Sequence, residues 1–158
     1  MQIETEEFNS WMREVITRNR VSTGLGIRKV ALDLLSNILM PEPYGRHPVD
    51  TGRSRAAWYP SMEGLGGKFN FESGVRKGKS KVAEGIQEGS FIDNTKGSTS
   101  DKWVELINAV SYILFLEYGH SQSAPVGMVR ISMRKMMGRL PAEINERFIR
   151  DWNEFVSR

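Results

Sequence analysis

The chain has 158 residues, 22 Lys and Arg against 19 Asp and Glu, a formal net charge of +3, and no cysteine. That length is about one domain, and 26% charged with 39% apolar residues is a folded composition rather than a disordered or membrane one. The lack of cysteine removes disulfides, thiolate metal sites and a cysteine nucleophile, and His47 and His120 stand alone without an H-E-x-x-H spacing. No cofactor and no metal are expected. No apolar run approaches the roughly 20 residues a membrane helix needs. The acidic start, Met1 to Glu7, is unlike the basic start of a secretory signal. A three-charge excess reads as a mixed surface rather than a nucleic-acid footprint. It is uneven, however: after Val126 there are seven Lys and Arg against four acids.

Thr5 can cap a helix whose first turn carries Glu6 and Glu7. Phe8, Trp11, Met12, Val15 and Ile16 then form a one-sided apolar stripe, directed at the core or at another subunit. Ser22-Thr23-Gly24-Leu25-Gly26 predicts a break or a loosened join. A second stripe, Ile27, Val30, Ala31, Leu34 and Ile38, widened by Leu35 and Leu39, runs to a stop at Pro41 and Pro43. The helical N-terminal part is thus placed at 5–40. Tyr44 to Gly52 is loop, closed by an Asp50-Thr51-Gly52 turn. Arg53 to Pro60 reads as a strand, although Arg55-Ala56-Ala57 also suits a short helix.

Residues 64–102 hold eight glycines among lysines and polar residues, and read as a flexible arm or insertion. A phosphate loop is not there, because Gly74-Val75-Arg76-Lys77-Gly78-Lys79-Ser80 is one residue short of the spacing. Lys77, Lys79 and Lys81 are candidate contacts of this arm with a partner or another subunit. Val82 to Ile86 can form a short helix ending by Gly89, and 93–101 reads as exposed loop.

Trp103 to Asn108 has the β-branched and aromatic content of a strand. Tyr112, Phe115 and Leu116, with Ile113, predict a short buried helix that ends at Glu117 with Gly119 as C-cap. Glu117 beside His120 invites an acid–base reading, but no nucleophile or third group accompanies the pair. Holding backbone N–H groups or an arginine, Arg53 or Arg130, is the expected role of Glu117. Val129, Ile131 and Met133 alternate with polar residues, which suggests a strand turning to helix near Lys135, or a helix throughout. Met128, Met133, Met136 and Met137 suit core filling or an adaptable contact surface. From Ala142, Ile144, Phe148, Trp152, Phe155 and Val156 give a closing amphipathic helix. The expected fold is one α+β domain, 1–158, with a small, mainly antiparallel sheet flanked by N-terminal and C-terminal helices. Residues 103–158 supply a strand, short helix, strand and C-terminal helix.

Two segments stand out against this background. The first is Pro48-Val49-Asp50-Thr51-Gly52-Arg53. The second starts at Tyr112, passes Leu116-Glu117-Tyr118-Gly119 and ends in Ala124-Pro125-Val126-Gly127-Met128-Val129-Arg130. Together they resemble the P-x-D-T-G and Y-x-x-x-L-E-Y-G…A-P-x-G-M-V-R segments of head–tail joining proteins, the neck or tail-completion proteins of long-tailed bacteriophages. The resemblance covers about 35 residues. It implies a non-enzymatic virion protein, located at the head–tail interface and assembled in the host bacterial cytoplasm. The implied form is a homo-oligomeric ring, expected to be a hexamer. Its implied partners are a tail-terminator or tail-tube protein on one side and the portal-connector stack on the other, with double-stranded DNA passing through unread. Phe8 and Trp11 are then candidate inter-subunit contacts. The rival reading is a small nucleic-acid-binding protein that uses the basic C-terminal helix.

Overall fold

A computed structural model of the chain describes residues 5–39, 47, 49–68, 81–96, 101–119, 127–136, 150 and 153. Eight elements follow one another: α1 (Thr5–Leu39), α2 (Arg53–Ala56), α3 (Tyr59–Gly64), α4 (Val82–Gln87), β1 (Gly89–Asp93), β2 (Val104–Asn108), α5 (Ile113–Glu117) and α6 (Val129–Met136). The expected α+β class is the observed one. Its sheet is the antiparallel pair β1–β2, in a register that sets Gly89 opposite Asn108 and Phe91 opposite Leu106.

The expected break at Ser22 to Gly26 does not occur, because α1 runs unbroken for 35 residues. A glycine pair weakens an isolated helix by about 1 kcal/mol per residue, but here the missing side chain serves a contact. A Cβ on Gly24 would stand 2.8 Å from the Thr95 carbonyl oxygen in the loop after β1. On the next turn Arg28 reaches the Asp93 carboxylate, and its other nitrogen donates to the Gly64 carbonyl at 2.7 Å. Tertiary contacts therefore hold straight what local propensity would leave loose.

The second stripe does what its width predicts. Ala31, Leu35, Ile38 and Leu39 are buried together with Trp58, Met62, Leu65 and Met128, and Phe91, Leu106 and Val129 pack on that cluster. Leu35 and Ile38 are among the largest fully buried side chains.

Two segments read as strands, each with a helix as the alternative, are helices. Arg53 to Pro60 forms α2 and the start of α3, with Ala56 N–H on Gly52 O at 2.9 Å and Met62 N–H on Trp58 O at 3.0 Å. The Ser54 to Trp58 stretch is buried, so its small residues serve close helix packing rather than strand alternation. Val129 to Met136 is helical from its first residue, because its leading N–H groups are capped from elsewhere in the chain.

The arm expected over 64–102 is also corrected for the residues described. Within it, α4 packs on α2, and β1, read as loop or arm from the sequence, is one half of the sheet. Its glycines mark close approaches: a Cβ on Gly85 would collide with the Arg53 carbonyl, and one on Gly64 with the Phe91 ring. The short helix read at Val82 to Ile86 is α4, and the strand read at Trp103 to Asn108 is β2. The C-terminal helix expected from Ala142 lies outside the described residues, save Arg150 and Asn153, which are helical and exposed.

Candidate functional site

The Tyr112 to Arg130 segment folds into a clamp between two helices. α5 ends at Glu117, and Gly119 leaves it with a φ of 85°. Residues 120–126, Pro125 and His120 among them, lie outside the described set. Gly127 re-enters at φ 81° and leads into α6. The first turn of any helix presents backbone N–H groups with no intrahelical partner. At the start of α6 those groups meet a carboxylate 11 to 13 residues back. Glu117 Oε2 accepts the N–H of Met128 at 3.0 Å and of Val129 at 2.8 Å, and Oε1 accepts that of Arg130 at 2.9 Å.

Arg130 closes the loop in the other direction. Its Nε donates to Glu117 Oε1 at 3.1 Å and a terminal nitrogen to the Glu117 carbonyl at 2.6 Å. Its guanidinium also lies 4.8 Å from the centre of the Tyr118 ring, a cation–π distance. Between them Gly127 allows the backbones to meet, since a Cβ there would collide with the Glu117 carbonyl oxygen. The arginine partner of Glu117 is thus Arg130. Arg53, the other candidate, pairs with Glu88 instead, its Nε donating at 2.7 Å.

The Glu117 side chain is only 12% exposed. Burial pushes its pKa up, but the hydrogen bonds from the Met128, Arg130 and Val129 backbones and the Arg130 side chain outweigh it, and the net shift is downward. A carboxylate held ionised with both oxygens occupied is a helix cap. A general acid needs the opposite shift.

What the clamp presents is apolar. α5 was expected to be buried; instead Leu114, Phe115 and Tyr118 are each more than 60% exposed, while Ile113 and Leu116 on the other face pack on the core. One face of α5 lies on the core and the opposite face is left exposed.

The first segment sits behind this one. Gly52 has a φ of 80° and opens α2; Asp50 is exposed, and Thr51 O accepts the N–H of Lys81 at 3.3 Å. Arg55 is buried and donates to the Leu39 carbonyl at 3.0 Å, and burial pushes its pKa down. The stretches flanking the two segments meet: the Asn108 amide donates to Ser54 O at 2.8 Å, and Trp58 shares the core with Met128. Pro48, Lys77 and Lys79 lie outside the described residues, as do the side chains of Phe8 and Trp11. Lys81 is exposed and 3.7 Å from Glu84.

One feature was not read from the sequence. A cleft of about 520 Å³ between α1 and the loop after β1 is bordered by Arg20, Arg28, Lys96 and Lys102. Its signal was present in Thr17, Val21, Gly24 and Arg28, which share a helical face only if α1 is continuous. The supposed break at Gly24 hid it.

Gly119→Val is expected to cost roughly 1–3 kcal/mol, because a β-branched residue is strained at positive φ. A thermal melt reads this; an unchanged Tm would show that Gly119 is not an anchor of the clamp. No family model matches the chain, and no curated protein or solved structure matches it.

Proposed function

We propose that the protein is a non-enzymatic structural component of a long-tailed bacteriophage neck, which joins the DNA-filled head to the tail as a ring of identical subunits around the DNA channel. The observation that carries this reading is the pair of sequence segments. They resemble those of head–tail joining proteins, and in this chain the second folds into one bonded unit, while Trp58, a few residues after the first, shares a core with Met128. Glu117, Gly127, Met128, Val129 and Arg130 are bonded or packed to each other, and Trp58 and Met128 share a core. The clamp also supports a contact role, since it holds the exposed Leu114 and Phe115 on α5 and the exposed Tyr118 at its C-terminal end. A ring closes through heterologous contacts, one surface of a subunit meeting a different surface of its neighbour. A rigid apolar knob suits one half of such a contact.

On this reading the partners are other copies of the chain, a tail-terminator or tail-tube protein and the portal-connector stack, with duplex DNA in the lumen. The test is genetic. A phage lacking this chain should accumulate DNA-filled heads and complete tails that fail to join, or joined particles that are inactive. Normal infectious particles in its absence, or purified virions that do not contain it, would overturn the reading.

A further inference from the structure

The cleft beside the middle of α1 combines a basic border with an apolar lining. Its border carries Arg20, Arg28, Lys96 and Lys102, and no carboxylate lines it among the described residues. Its floor is apolar, with Val21 57% and Leu25 43% exposed. Arg28 spends its charge on Asp93 behind the cleft. Arg20 borders the cleft from α1, and Lys96 and Lys102 border it from the two sides of the loop after β1. An apolar floor under a basic rim fits a short acidic segment with apolar anchors, because charge complementarity sets the register while the floor supplies the burial.

The chain contains such a segment. Its first nine residues, Met1 to Asn9, carry Glu4, Glu6 and Glu7, no Lys or Arg, and Ile3 and Phe8 as apolar anchors. It cannot serve its own cleft. α1 is unbroken from Thr5 to Leu39. Glu6 and Arg20 therefore sit on one rigid rod about 20 Å apart along its axis, at 1.5 Å per residue. The segment can only enter the cleft of another copy.

We propose that the acidic N-terminal end of α1, with Glu6, Glu7 and Phe8, docks in the basic cleft of a neighbouring subunit, and that this head-to-tail contact is an interface through which the chain self-associates. A contact between two different surfaces of one chain is heterologous, the kind that generates rings. The proposal rests on the reading of the protein as a ring of identical subunits, and supplies the surfaces that reading leaves open.

The test is sedimentation velocity on the full chain over a concentration series. Two charge-reversed proteins are compared with the unaltered one, each checked for folding by circular dichroism: a cleft variant, Arg20→Glu with Lys96→Glu, and an N-terminal variant, Glu6→Lys with Glu7→Lys. Each should weaken self-association about tenfold or more, and rising salt should weaken that of the unaltered chain. An equimolar mixture of the two variants should regain assembly, since the intact end meets the intact cleft and the reversed end meets the reversed cleft. A chain carrying all four changes should regain assembly. If the unaltered chain assembles and neither reversal weakens it, or salt has no effect, the contact is wrong while the ring reading stands. If the cleft variant still assembles but loses retention of duplex DNA in a gel shift, the cleft is a nucleic-acid surface and the contact is wrong. If the unaltered chain stays monomeric at every concentration, the ring reading fails, and the contact with it.

Discussion

Glu117→Ala is expected to lower the stability of the domain by about 2–4 kcal/mol, since it leaves three backbone donors and one guanidinium without their common acceptor. The three donors are the N–H groups of Met128, Val129 and Arg130. Denaturant unfolding measures the loss; a change under about 0.5 kcal/mol, the size of an ordinary surface substitution, would show that the clamp does not hold α5 to α6. The same carboxylate gives a pH signature. Its folded pKa lies below the unfolded value, so its contribution is complete above the unfolded pKa, near 4.3, and is lost as pH falls through the folded one. Acid unfolding should therefore carry a component on the acid side of that value which disappears in Glu117→Ala. The Glu88 carboxylate, whose pKa the Arg53 hydrogen bond lowers, titrates in the same direction. The comparison must accordingly be between the variant and the parent.

Gly85→Ala should destabilise by about 2–3 kcal/mol, although in a free helix the same change stabilises by up to about 1 kcal/mol. The sign decides between the two effects. Gly85 is buried in α4, and a Cβ there would collide with the Arg53 carbonyl and meet the Ala56 side chain at 3.0 Å. A small residue is thus what lets α4 lie on α2 backbone to backbone. Urea unfolding with an unchanged m-value would read the cost; a stabilised Gly85→Ala would mean that α2 and α4 do not pack this closely.

These two positions also mark what the sequence discloses and what it hides. The role of Glu117 was legible because a carboxylate at the end of an apolar run, before a glycine, has few local tasks besides bonding nearby donors. The stripe from Ile27 to Leu39 was legible because its period is long and its width announced burial. The strand at Trp103 was legible from side-chain shape. The glycines misled. Gly24 looked like a helix breaker and the glycines of 64–102 looked like slack chain. Gly24, Gly64, Gly85 and Gly89 are instead places where another segment comes too close for a side chain. Nothing in a single sequence separates a glycine that frees the backbone from one that admits a neighbour, because the neighbour is distant along the chain. Strand β1 was missed for the same reason: Gly89-Ser90-Phe91-Ile92-Asp93 has little intrinsic strand character, and β2 supplies the rest. The exposure of α5 was missed because an apolar run carries no mark of which face has a partner.

The continuity of α1 has a mechanical side. A rod of 35 residues is about 50 Å long, and the buried cluster grips it from Ala31 onward. Its midpoint is the intrinsically soft Gly24, splinted from outside by Thr95 and, one turn on, by the Arg28 to Asp93 pair. Stiffness here is borrowed rather than inherent. While the splint is seated, a push on the N-terminal end arrives at the core as a rotation of the whole lever. Thr95 and the Arg28–Asp93 pair therefore brace the longest element of the fold where its own propensity is weakest.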